Sequence, residues 1–188
     1  MKMKYGIYYA YWEQEWAADY KKYVEKVSKL GFDILEVGAA PLPDYTEKEI
    51  SELRKCAQDN GVILTAGYGP TYEHNIGAVE PEVRAGAMEW YKRLFEVMGK
   101  LDIHKIGGAI YSYWPVDFSK ADKEEDWKRS AEGIRILAEE AKQYDIMLGM
   151  EVLNRFESHI LNTAAEGVTF VKEVGMDNVK VMLDTFHM

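Results

Sequence analysis

Short apolar runs alternate with amphipathic helical stretches along the whole chain, and this alternation limits the fold more than any other feature. YGIYYAYW (5–12) reads as a strand. A helix is predicted from about Asp19 to Leu30, with Tyr20, Tyr23, Val24, Val27 and Leu30 on one face and Gly31 as its stop. DILEVGA (33–39) is a second strand, followed by a helix that opens on the capping box of Thr46 and Glu49 and closes at Gly61. ILTAGYG (63–69) is a third strand, and Pro81 starts a helix that carries Val83, Ala87, Trp90, Leu94, Val97 and Leu101 inward. KIGGAIY (105–111), a helix over 124–144, MLGMEVL (147–153), a second capping box at Thr163 and Glu166 with a stop at Gly175, and VKVMLDTF (179–186) complete the series.

The unit is therefore βα repeated, ending on a sixth strand. Such alternation implies parallel strands with helical crossovers, and strands this apolar are expected to be covered on both faces. An open doubly wound sheet and a (β/α)₈ barrel both fit. No strand-to-helix turn carries the G-x-G-x-x-G or P-loop pattern that would favour a nucleotide-binding open sheet. Polar residues instead gather at the C-terminal ends of strand after strand: Trp12, Tyr68, Tyr113 and Trp114, Glu151 and Asn154, Asp184 and His187. That is the functional face of a barrel. The pattern thus favours an α/β fold of the TIM (β/α)₈ barrel type in one domain, residues 1–188, although such a barrel needs eight strands and six are present.

Two carboxylates, Glu151 in GMEVLN and Asp184 in VMLDTFH, come late in apolar strands. Burying them is costly unless they are paired or bind a cation. On neighbouring strands they would converge on a divalent metal with oxygen ligands, of the kind that suits manganese, magnesium or cobalt. The alternative is a pair held by lysine, arginine or backbone donors. Glu157 and His187 follow those carboxylates and could bond a polar ligand. His187 could also ligate metal or carry a proton, or simply be solvated near a chain end. His74, His104 and His159 read as structural. Tyr8, Tyr11, Trp12, Trp16, Tyr68, Tyr113 and Trp114 suit the wall of a sugar or apolar-ligand pocket, whereas Tyr9 and Trp90 suit the core. Gly67 and Gly69 flank Tyr68 and permit close backbone approach or mark a bend. The single cysteine, Cys56, has no base nearby in sequence and reads as inert packing.

Charge narrows the function classes. A formal net charge of −9 opposes a phosphate-backbone partner. One cysteine allows no internal disulfide, no apolar leader opens the chain, and no run approaches a membrane span, so a cytoplasmic protein without nucleic-acid or membrane partners is expected.

GIYYAYWEQEW, LGFDILEVGAAPLPDY, LTAGYGP, LDIHKIGGAIYSYWPVD, MEVLNRFESHILNT and VKVMLDTFHM together closely resemble the D-psicose (D-allulose) 3-epimerases of the D-tagatose 3-epimerase family of ketose epimerases. The resemblance runs the length of the chain. It implies an isomerase that epimerises free ketohexoses at C3, of the D-fructose to D-psicose type, by deprotonation and reprotonation through a cis-enediolate. It implies a homo-oligomer, dimer or tetramer, and a divalent metal cofactor, Mn²⁺ or else Co²⁺ or Mg²⁺. Glu151 and Asp184 match two of the four metal ligands, and Glu151 also matches one of the two proton-transfer carboxylates. Glu157 and His187 match the residues that bond the C1–C3 end of the sugar. Tyr8, Trp16, Gly67, Ala109 and Trp114 match positions lining the pocket. The remaining two metal ligands, the second proton-transfer carboxylate and an assisting arginine would lie beyond Met188. The 188-residue chain by itself is therefore expected to be inactive and, with strands one and six as open edges, aggregation-prone. Two alternatives stand beside this reading: a non-catalytic sugar-binding module of the same barrel, and a metal-dependent endonuclease-like relative, which the charge disfavours.

Overall fold

In the computed structural model, which describes residues 3–15 and 18–188, the alternation resolves into six strands and five α-helices. The strands are β1 (Gly6–Tyr8), β2 (Ile34–Gly38), β3 (Ile63–Tyr68), β4 (Lys105–Gly108), β5 (Met147–Val152) and β6 (Val179–Leu183). The helices are α1 (Tyr20–Leu30), α2 (Glu47–Asp59), α3 (Pro81–Lys100), α4 (Lys123–Lys142) and α5 (Ala164–Val174). Spatial order follows chain order, and every adjacent pair of strands is parallel.

Local chemistry sets the helix ends. Asp19 accepts from the Lys21 N–H at the start of α1, and Gly31 closes that helix in the left-handed region at φ 83°. Both predicted capping boxes are formed: Thr46 with Glu49 on α2, and Thr163 with Glu166 on α5. Each satisfies two N–H groups that the first turn leaves without a partner. Pro81 sits in the first turn of α3, where its missing N–H costs nothing.

The two faces of the sheet differ. Leu35, Val37, Leu64, Ala66, Leu148, Met150 and Val152 point to the helices and are buried there with Tyr20, Val24, Val27, Phe95, Ile134, Leu137 and Phe170. The opposite face was expected to be equally covered. It is not: Ile34, Glu36, Thr65, Gly149 and Glu151 are only half-buried and Ile63 and Met147 are exposed, all facing a concave interior. Tyr8, on β1, and Asp184, just past β6, line the same cavity. In a flat six-stranded sheet those edges would stand about 24 Å apart. The sheet is thus curled as an incomplete barrel, with β1 paired only to β2 and β6 only to β5 among the described residues.

Three strands stop earlier than the sequence suggests. β1 ends at Tyr8, because Tyr9 turns its ring inward against Tyr20, 5.1 Å between centroids, and residues 9–11 form a single 3₁₀ turn. β6 ends at Leu183, and Asp184 to His187 close into a turn. β4 ends at Gly108, whose φ of 127° no residue with a side chain adopts easily. A β-carbon there would fall 2.0 Å from the Tyr68 carbonyl oxygen. Gly108→Ala is expected to destabilise the fold by at least about 2 kcal/mol, through backbone strain and overlap together. A thermal midpoint unchanged from the parent would refute that. Leu30 was also placed on the inner face of α1, but it lies in the last turn and is 58% exposed.

Candidate active site

Curling brings the C-terminal ends of all six strands round one cavity of about 410 Å³. Its walls include Tyr8, Gly67, Ala109, Trp114, Glu151, Glu157, Asp184 and His187. The site residues that the resemblance implied are therefore all in this wall, except Trp16, which lies outside the described residues.

Glu151 is next to last on β5, opposite Met182 of β6 in register. Its backbone is fixed by Tyr111, whose hydroxyl donates to the Glu151 carbonyl at 2.9 Å. Asp184 follows β6 and its Oδ1 accepts from the Phe186 N–H at 2.8 Å. The sequence reading buried both carboxylates. Glu151 is half-buried, but Asp184 is exposed, since it stands just beyond the strand on the open edge. Glu151, Asp184 and His187 each offer an atom within 4.8 Å of the others, an arrangement that could hold a metal ion. Among the described residues no lysine or arginine pairs with either carboxylate, and none lines the cavity. Of the expected alternative, a pair held by lysine, arginine or backbone donors, the described residues show only a backbone donor, the Phe186 N–H on Asp184. Burial, then the charges of Asp184, Glu36 and Glu157, push the Glu151 carboxyl up to about 7. A group of that proton affinity between other carboxylates is one that a cation would relieve.

Glu36 is the site residue that the sequence reading missed. It lies on β2 beside Tyr8 of β1 in register and enters the same cavity, its carboxyl raised by burial. Gly67 makes room for it, because a β-carbon at 67 would fall 2.8 Å from Glu36 Oε1. The signal was present, a carboxylate inside the apolar run DILEVGA, but β2 ends on glycine and carries no second polar residue to draw attention.

Several aromatic assignments need correction. Trp12 stacks on Tyr23 at 5.6 Å with Lys26 over its ring, and Tyr11 packs edge-on against Trp12; neither is among the residues lining the cavity. Tyr113 packs against Tyr72 and lines a separate cavity. Tyr68 reaches the cavity, but its ring stacks on Trp90 and its hydroxyl is bound to His74. That bond agrees with a structural His74, as does the Asp126 contact for His159 at 2.7 Å. Tyr9 and Trp90 are core residues, as expected.

Known proteins share this sequence and fold. Residues 24–188 match the model of the xylose isomerase-like TIM barrel family. D-psicose 3-epimerase of Ruminiclostridium cellulolyticum is 57% identical over 99% of this chain and 64% of its own length. The D-psicose 3-epimerase of Agrobacterium fabrum is 55% identical over 99% of this chain and 65% of its own. The chain thus spans a little under two thirds of the relatives it matches. A crystal structure of D-psicose 3-epimerase with D-tagatose from Clostridium cellulolyticum H10 superposes with a TM-score of 0.97 over 99% of this chain and 65% of that one, at 57% identity. The resemblance read from the sequence is borne out: the chain belongs to the xylose isomerase-like TIM barrel family and is similar over nearly its whole length to D-psicose 3-epimerases.

Proposed function

We propose that this chain supplies one proton-transfer group and most of the substrate pocket of a metal-dependent ketose 3-epimerase that interconverts free ketohexoses of the D-fructose and D-psicose type. The observation that carries this is the convergence of Glu151, Asp184 and His187 at one rim of a cavity otherwise walled by Tyr8, Gly67, Ala109 and Trp114. The oxygen donors of Glu151 and Asp184 suit Mn²⁺, Co²⁺ or Mg²⁺. A bound cation would act as a Lewis acid on neighbouring carbonyl and hydroxyl oxygens, raising the acidity of the C3 proton.

Glu151 takes the proton from C3 on one face of the sugar. Its raised affinity, near 7, suits a base that must hold and release a proton at neutral pH. Glu157 and His187 bond the C1–C3 hydroxyls and hold C3 against Glu151. Tyr8 and Trp114 wall the carbon chain of the sugar, and Gly67 and Ala109 keep the wall low. Inversion needs a second carboxylate on the opposite face, which this reading assigns, with two further metal ligands, to strands seven and eight. On the same reading the 188 residues alone do not turn over. The cavity walls carry Glu36, Glu151, Glu157 and Asp184 and no lysine or arginine, which disfavours a nucleic-acid backbone as substrate. A cytoplasmic homo-oligomer belongs to this proposal too. Among the described residues no helix is long and apolar enough to cross a membrane.

The test is the full-length protein with D-fructose and Mn²⁺ in D₂O. D-psicose should form and deuterium should enter at C3 alone. Binding of D-fructose without C3 exchange, under Mn²⁺, Co²⁺ and Mg²⁺ alike, would instead support a sugar-binding module.

A further inference from the structure

We propose that Asn154 is a positioning residue that fixes the tautomer of His187, leaving Nδ1 bare and aiming a neutral Nε2–H into the cavity as a hydrogen-bond donor, not a metal ligand. Asn154 follows β5 by two residues and makes four contacts with three residues, Phe156, Glu157 and His187. Its Oδ1 accepts from the Phe156 N–H at 3.0 Å, and its Nδ2 donates to Glu157 Oε1 at 2.7 Å. A backbone N–H can only donate and a carboxylate only accept, so these two contacts fix which end of the amide is nitrogen. That same Nδ2 lies 2.9 Å from His187 Nδ1, and the Asn154 backbone N–H also donates to Nδ1, at 3.3 Å. Nδ1 thus faces two donors and must be an acceptor. Glu157 Oε1, the nearby carboxylate that could otherwise attract a proton to Nδ1, stands 3.8 Å away, with the Asn154 amide bound to both groups.

The proton of a neutral imidazole then resides on Nε2. Nε2 is 3.7 Å from Glu151 Oε1, too far for a direct bond. The ring is held but its N–H is unspent, with only 8% of the side chain exposed. A nitrogen carrying hydrogen offers no lone pair to a cation. Although Glu151, Asp184 and His187 cluster within metal-binding range, the geometry gives the cation to the two carboxylates and the histidine to a ligand oxygen. The inference rests on the epimerase reading only for what that N–H meets; the tautomer can be measured without substrate.

The experiment is ¹⁵N NMR of the histidine rings in the full-length protein, with and without Mg²⁺, the His187 signals identified by their loss in H187Q. Expected is a bare Nδ1 and a protonated Nε2 in both conditions. Asn154→Asp keeps the side-chain shape but turns the Nδ2 donor into an acceptor, leaving only the backbone N–H on Nδ1, so the share of the Nδ1-protonated form should rise. Under the epimerase reading kcat should fall roughly ten- to hundred-fold, the worth of one misdirected charge-assisted hydrogen bond. A protonated Nδ1 in the parent, an Nε2 that loses its proton when Mg²⁺ binds, or a tautomer ratio in N154D identical to the parent's would each overturn the inference. The parent spectrum decides it even if the variant folds poorly. Absence of epimerisation with the expected parent spectrum would count against the ketose reading and leave the tautomer standing.

Discussion

Glu151→Gln in the full-length protein is expected to slow C3 epimerisation by about 10²–10⁴-fold or more and, with metal removed by chelator, to raise the thermal midpoint above pH 7. Glutamine has nearly the same shape, so the cavity survives, but its amide neither takes up a proton from C3 nor offers a cation a charged oxygen. The stability gain follows from linkage. Burial first, and then the charges of Asp184, Glu36 and Glu157, lift the Glu151 carboxyl from an ordinary 4.5 to about 7 in the folded state. The native protein therefore binds this proton more tightly than the unfolded chain does. Below about pH 4.5 both states hold it, and Glu151 costs nothing. As pH rises towards 7 the unfolded chain releases its proton while the native state resists, and the ionised carboxylate destabilises the fold by an amount that is complete above pH 7. The glutamine side chain escapes that cost, so parent and variant should melt alike at pH 4 and diverge by pH 8. A variant that keeps its turnover would remove Glu151 from proton transfer. A variant that gains no stability at pH 8 would mean that the carboxylate is well solvated.

How much of this was legible in the chain depends on the physical signal each residue sends. Glu151 and Asp184 stand out because a carboxylate at the end of an apolar run demands a reason. The helix caps are legible because Thr46 with Glu49 and Thr163 with Glu166 are local devices, complete within four residues. Glu36 sends the same signal as Glu151 but sits mid-strand, where alternation alone would point it to solvent. Only the curl of the sheet turns that face into a cavity wall. Trp12 went astray for the opposite reason. Adjacency to β1 suggested the mouth, but the chain leaves the sheet at Tyr9 and the indole finds Tyr23 and Lys26 on α1. Asn154 appeared only as one polar residue among several, since its role consists of contacts with His187, 33 residues away. Pattern reveals period and caps; it does not reveal which partner a side chain meets across the barrel.

The second large effect separates the two roles of Asp184. Its Oδ1 accepts from the Phe186 N–H and its carbonyl from the His187 N–H at 3.1 Å, so the residue shapes the turn that delivers His187 as well as offering charge to a cation. Asparagine keeps the acceptor oxygen and removes the charge; alanine removes both. Asp184→Asn and Asp184→Ala should each lose at least about 100-fold in Mn²⁺ affinity, since even the partners that merely orient metal ligands are worth about 10–100-fold. Both should lose nearly all epimerisation. Only the alanine form should also loosen the turn, lowering stability by roughly 0.5–1.5 kcal/mol, the net worth of one hydrogen bond. Isothermal titration with Mn²⁺ beside thermal melts of the metal-free proteins reads the two effects apart. Parent-like Mn²⁺ binding by the asparagine form would take Asp184 out of the metal site, and with it the pairing across β5 and β6 on which the proposed chemistry depends.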